Sequence, residues 1–184
     1  MISFKNILLG LILFLAGNVL AQEKLYHNSF NLSDVRLLPG VLKHAQDVNT
    51  QNLLNYDVDR LLAPYRKEAG LTAKAESYPN WIGLDGHVGG HYLSAMAMNY
   101  AATGDAECKK RMDYMVEELK ACHDANKNGY VGGVPNSSKI WPALQNGDFS
   151  EIRKAWVPWY NLHKTYSGLR DGCMVEMQKH EPCS

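Results

Sequence analysis

The sequence predicts an all-α protein whose helices pair into hairpins arranged as a toroid. Three observations carry this. From Ser33 onward, apolar residues recur at three- and four-residue steps, with Gly and Asp as punctuation. No convincing alternation of period two, the mark of a half-buried strand, is present. Short joints alternate with two long connections rich in glycine and aromatic residues, whereas a plain bundle usually has shorter joints. Long loops gathered at one end of a ring of hairpins would surround a pocket.

The first 21 residues stand apart from that domain. Lys5 gives a positive start, Ile7–Ala16 is an apolar run, and Val19-Leu20-Ala21 supplies small or apolar groups for cleavage. This reads as a secretory signal peptide. The run is shorter than the ~20 apolar residues of a membrane span. The expectation is an exported chain, periplasmic or extracellular, with no membrane span after signal removal.

Leu42, Ala45, Val48, Leu53 and Leu54 mark the first helix. Val58, Leu61, Leu62 and Tyr65 mark a second, closed by Gly70. A third runs from His91 to Ala102 and stops at Gly104. Asp105 caps a fourth, whose stripe is Cys108, Met112, Met115, Val116, Leu119 and Cys122. A fifth covers Trp159–Arg170, after Pro158 breaks the chain. The long connections are Glu76–Gly90 and Asn126–Trp141. No clean internal repeat is found.

The 184 residues carry 19 basic and 19 acidic side chains, so there is no electrostatic footprint for nucleic acid or anionic membrane. A hydrophobic content of 46% fits a globular chain. The four cysteines contain no CxxC pair, so no zinc ribbon is indicated. Cys108 and Cys122 sit at opposite ends of one predicted helix, about 20 Å apart at 1.5 Å per residue. They cannot bond each other there and read as ordinary half-buried helix residues.

The stretch from Trp81 to Ser94, WIGLDGHVGGHYLS, carries the most chemistry. It combines the aromatic Trp81, the carboxylate of Asp85 and the imidazoles of His87 and His91. A sugar site needs such a mixture: flat apolar surface for ring faces, and directional polar groups for hydroxyls. Other readings compete. His87 and His91 are four apart and would share a helix face for zinc, but Val88 stands where an HExxH motif needs Glu. Asp85 equally suits a helix cap before His87, and His91 a buried, hydrogen-bonded histidine. Asp124–Gly129 looks like the start of a calcium loop, but Pro135 replaces the bidentate twelfth ligand, so a helix end and turn is expected. The second informative patch is Trp156–Lys164, WVPWYNLHK. Trp159 and His163 share a helix face there and suit a sugar subsite, or equally a core histidine under an aromatic lid. No Ser-His-Asp set, P-loop or GxGxxG is present. Asp85 lacks an obvious carboxylate partner for glycoside hydrolysis.

Three segments in this order, GLDGHVGGHYLSAMAMNYAATGD, NGYVGGVP and WVPWYNLHKTYSGLRD, resemble glycoside hydrolase families 127 and 146, the β-L-arabinofuranosidases. Phe30–Leu37 also looks like their opening, and the resemblance covers about residues 28–171. It implies a catalytic (α/α)6 barrel, of which this chain would hold the N-terminal part, residues 22–171. It also implies an arabinose-containing carbohydrate as partner, a substrate contact at His163, and Asp85, His87 and His91 near the sugar. The family's acid is a glutamate and its nucleophile a zinc-held cysteine. Those motifs lie beyond position 184, and none of the four cysteines here matches them. The resemblance therefore assigns no catalytic residue and no cofactor to this chain, with zinc expected only in the full-length family enzyme. Residues 172–184 depart from the family pattern. A back-translation of Asp171–Ser184 read one base out of frame restores family-like sequence, so a frameshifted tail is expected, which the gene's nucleotides would test. A non-catalytic carbohydrate-binding module and a ligand-free helical interaction domain remain as other readings.

Overall fold

The computed structural model describes residues 30–79 and 84–180. Six α-helices follow one another: α1 Val41–Leu54, α2 Val58–Glu68, α3 His87–Thr103, α4 Ala106–Asn126, α5 Ser137–Gln145 and α6 Pro158–His180. Short 3-10 turns cover Leu32–Asp34 and Ile152–Lys154. No strand occurs among the described residues. The expected signal peptide lies outside them.

Local signals set most boundaries. The Asp57 carboxylate accepts from Asp59 N and Arg60 N at the start of α2. The Asp105 carboxylate accepts from Glu107 N and Cys108 N, both at 2.9 Å, at the start of α4. Each side chain satisfies main-chain donors that the first helical turn leaves unpaired. Pro158, with its fixed φ, opens α6.

One core joins α2, α3, α4 and α6. Leu62, Leu93, Met96 and Met115 are fully enclosed, with Tyr65, Met112, Leu119 and Val175 around them. Cys108 and Cys122 belong to this core and are fully buried rather than half-buried, both as free thiols. Burial, first of all, pushes each thiol up to about 11, because a thiolate loses its solvation there. In the predicted stripe of α4, Val116 alone faces outward.

The α3–α6 contact is the most extensive in the molecule. Glycines make it possible. A Cβ on Gly90 would stand 2.3 Å from the carbonyl carbon and oxygen of Lys164, and one on Gly168 would stand 2.5 Å from Gly90 O. The two helix backbones meet where only hydrogen atoms fit between them.

Three expectations need correction. The stretch after Asn126 is not loop as far as Trp141, because α5 begins at Ser137. Its first turn is capped from another helix: Glu68 on α2 accepts from Asn136 N, Ser137 N and Ser137 Oγ. A cap supplied across the fold leaves no local motif. Second, the residues that mark α1 are covered at one end only: Leu53 and Leu54 pack against the core. Val41, Leu42 and Val48 are exposed and only Thr50 is buried, donating to Asn99 Oδ1 at 3.0 Å. Third, the helix does not fade after Asp171. It continues to His180, with Val175 in the core and Lys109 ion-paired to Glu176.

Candidate functional site

The α3–α6 crossing brings the two informative motifs together. His87 opens α3 and is buried. Its Nδ1 donates to Leu84 O at 2.5 Å. In the neutral ring this leaves Nε2 as the acceptor. One turn later His91 lies at the surface, and its Nε2 is 3.1 Å from the Tyr160 hydroxyl. The three rings form a triangle: His87–His91 6.1 Å, His87–Tyr160 5.9 Å and His91–Tyr160 6.3 Å between centroids. Lys164 adds a cation over the Tyr160 ring at 5.1 Å.

His91 is held below the usual histidine range. Packing of its flank is the largest cause, followed by the positive fields of Lys164, His87 and His163. His163 is exposed on α6, three residues after Tyr160. An uncharged imidazole both donates and accepts, as a sugar hydroxyl requires.

A second arrangement fixes the loop before α3. The fully buried Asn161 side chain donates from Nδ2 to Asp85 O at 2.6 Å. Its Oδ1 is buried without a hydrogen-bond partner. Tyr65 donates to Gly86 O and lies 3.0 Å from Thr165 Oγ1. Gly86 itself adopts φ 98, and a Cβ there would stand 2.9 Å from Gly133 Cα. The Gly86 loop, the Gly132-Gly133 loop and the first turn of α6 are thus locked together.

Aromatic rings continue along the start of α6. Tyr130, Trp141 and Trp159 form a ladder with centroid steps of 5.5 and 5.6 Å. Trp159 is 59% exposed, so one indole face stays open to solvent. Val157 precedes this turn at φ 44, where a β-branched side chain costs about 1–3 kcal/mol.

The predicted site residues divide accordingly. His87 and His91 come together with Tyr160, and Trp159 and His163 stand on the same helix, one residue before and three residues after Tyr160. His91 is not the buried, hydrogen-bonded histidine the alternative reading expected; His87 is. Asp85 does not cap α3, because the cap position is Gly86 and no side chain bonds there. Asp85 instead lines a cavity of about 640 Å³ with Ala63, Lys67, Glu76 and Pro135, which the imidazoles do not line. Trp81 lies outside the described residues. Tyr160 is one of the aromatics that flank His163 at the helix start in the sequence, whereas Asn161 and Lys164, inside the same motif, carry no such signal. Asn161 and Thr165 are four apart and both buried, which marks the inward face of α6.

Among the described residues no group of three or more His, Cys, Asp or Glu side chains could hold a metal ion. Cys108 and Cys122, the buried thiols, sit at opposite ends of α4. The donor set described here does not fit a zinc–thiolate centre. The Asp124–Gly129 stretch is a helix end and turn: Lys127 and Gly129 take positive φ, and Asn128 Oδ1 accepts from Tyr130 N.

The model of one protein family, described as beta-L-arabinofuranosidase, GH127 catalytic domain, matches residues 34–175. No curated protein matches the chain.

Proposed function

Because the chain belongs to the β-L-arabinofuranosidase family, matching its GH127 catalytic domain over residues 34–175, we propose that it is a carbohydrate-recognising segment of an exported glycoside hydrolase. Its substrate class is arabinofuranosides of plant polysaccharide or glycoprotein. The observation that carries the reading is the cluster of His87, His91 and Tyr160 at the α3–α6 crossing, with His163 three residues after Tyr160 on α6. Imidazoles and a phenol supply the paired donors and acceptors that vicinal hydroxyls need. The indole of Trp159 offers a flat apolar face for the ring C–H groups.

The same residues bind rather than cleave. Glycoside hydrolysis calls for two carboxyl groups flanking the scissile bond, and the resemblance places neither the acid nor the zinc-held nucleophile on residues of this chain. Zinc in the family enzyme would supply an activated thiolate, but no step here is routed through it. The leader with Lys5 and Ile7–Ala16 supports export.

Calorimetric titration of the full chain with L-arabinose tests the reading. Binding that His91→Ala and His163→Ala each weaken supports it. Absence of binding by the wild-type chain, or binding indifferent to both substitutions, sinks it in favour of a helical interaction module.

A further inference from the structure

A further cavity, lined by none of the imidazoles, lies between the start of α5 and the turn before α6. It has a volume of about 190 Å³ and is lined by Val134, Asn136, Ile140, Glu151, Lys154 and Trp156, among others. Trp156 is 59% exposed and forms part of this wall. Two non-glycine residues with positive φ adjoin it, Asn136 at φ 61 and Val157 at φ 44. Such a backbone persists only where the surrounding structure holds it. At about 30 Å³ per water, the cavity displaces roughly six waters, the room of one sugar residue rather than of a drug-sized ligand.

The polar groups fit an uncharged guest. Glu151 and Lys154 form an ion pair at 2.5 Å, so the wall carries no net charge from them. A carboxylate accepts from hydroxyls and an ammonium donates to them. A phosphate or a uronate would face Glu151 without a second cation from this pair. Val134, Ile140 and the indole provide the apolar side.

Resting on the sugar-binding reading above, we propose that this cavity is an outer subsite for a neutral sugar residue of a longer arabinofuranosyl chain. The residue stacks on Trp156 and shares hydroxyl hydrogen bonds with Glu151 and Lys154. The imidazole cluster holds a different residue of the same chain. Specificity for an oligosaccharide over a monosaccharide then resides in the turn between α5 and α6.

Calorimetry on the full chain with L-arabinose and with a linear L-arabinofuranosyl trisaccharide tests this. The wild-type chain should prefer the trisaccharide. Trp156→Ala should lower trisaccharide affinity about tenfold, the scale of one lost stacking contact, and leave L-arabinose affinity unchanged. Trp156→Phe keeps a ring and should retain most of the affinity, and circular dichroism checks that both variants stay folded. Equal affinity of the wild type for the two sugars, or a trisaccharide affinity indifferent to Trp156→Ala, overturns the outer subsite alone. A wild-type chain that binds neither sugar overturns the parent reading with it.

Discussion

Asn161 donates its side-chain amide to the main-chain carbonyl of Asp85 across 2.6 Å, joining positions that are 76 residues apart in the sequence. The donor stands in the first turn of α6 and the acceptor in the loop that opens α3. This bond is one of several contacts, with His91–Tyr160 and the Tyr65 bridge from Gly86 O to Thr165, that hold the two imidazole-bearing motifs in register. Asn161→Ala removes the donor and leaves the Asp85 carbonyl to find another partner. The expected loss is about 1–3 kcal/mol of stability, seen as a lower thermal midpoint. His91 and Tyr160 resonances should broaden or shift as their elements loosen. Unchanged stability and unchanged resonances would remove Asn161 from its positioning role.

Gly90 and Gly168 make a second, independent prediction. Alanine at Gly90 places a methyl group where the Lys164 main chain stands, and α6 must move away. Overpacking of this kind costs about 1–3 kcal/mol or more. Alanine at Gly129 meets no atom within 4 Å and should cost only about 1 kcal/mol, from its positive φ. Urea denaturation of the two variants should rank Gly90→Ala well below Gly129→Ala.

Glu118 provides the acid limb of stability. Burial alone would raise its carboxyl, but hydrogen bonds from Lys74 and Arg66, at 2.8 and 2.6 Å, outweigh that and hold it below the usual range. A depressed carboxylate contributes stability that is complete above its unfolded value, about 4.3, and is lost as pH falls through the lower folded value. Thermal midpoints measured from neutral pH downward should fall across that window. Glu118→Gln should start lower at neutral pH and flatten the fall.

His91 should titrate below the ordinary histidine range, and Lys164→Met should move it upward by removing one of the repelling charges. A histidine lowered by folding contributes stability that is complete above its unfolded value, about 6.5. That contribution disappears as pH falls through the folded value. Imidazole Hε1 shifts followed by NMR give both midpoints directly. Sugar binding should weaken over the same interval, because a protonated His91 no longer accepts a hydrogen bond.

Much of the helical order is legible in the sequence because it is local. The stripe of α4 and its Asp105 cap, the close of α2 near Gly70 and the Pro158 break each depend on residues within one or two turns. The imidazole motifs are legible for the same reason, being short and unusual in composition. Of the residues that mark α1 in the sequence, Leu53 and Leu54 pack against the core whereas Leu42 and Val48 are exposed. Periodicity states which face is apolar and says nothing of what covers it. The Glu68 cap on α5 escaped notice because its carboxylate arrives from 69 positions away.

By itself the sequence determined an all-helical chain of this glycosidase family and named the residues of its two imidazole-bearing segments. Only the tertiary structure decided that His87 is the enclosed imidazole and His91 the open one. It also decided that Tyr160 completes their triangle and that Asp85 faces a different hollow. The reason is the α3–α6 crossing: two backbones meet at Gly90 and Gly168, and their rotation about that contact selects which side chains share a surface. A helix repeats every 3.6 residues whatever its neighbours are, but the angle at which two helices pack is a property of both at once.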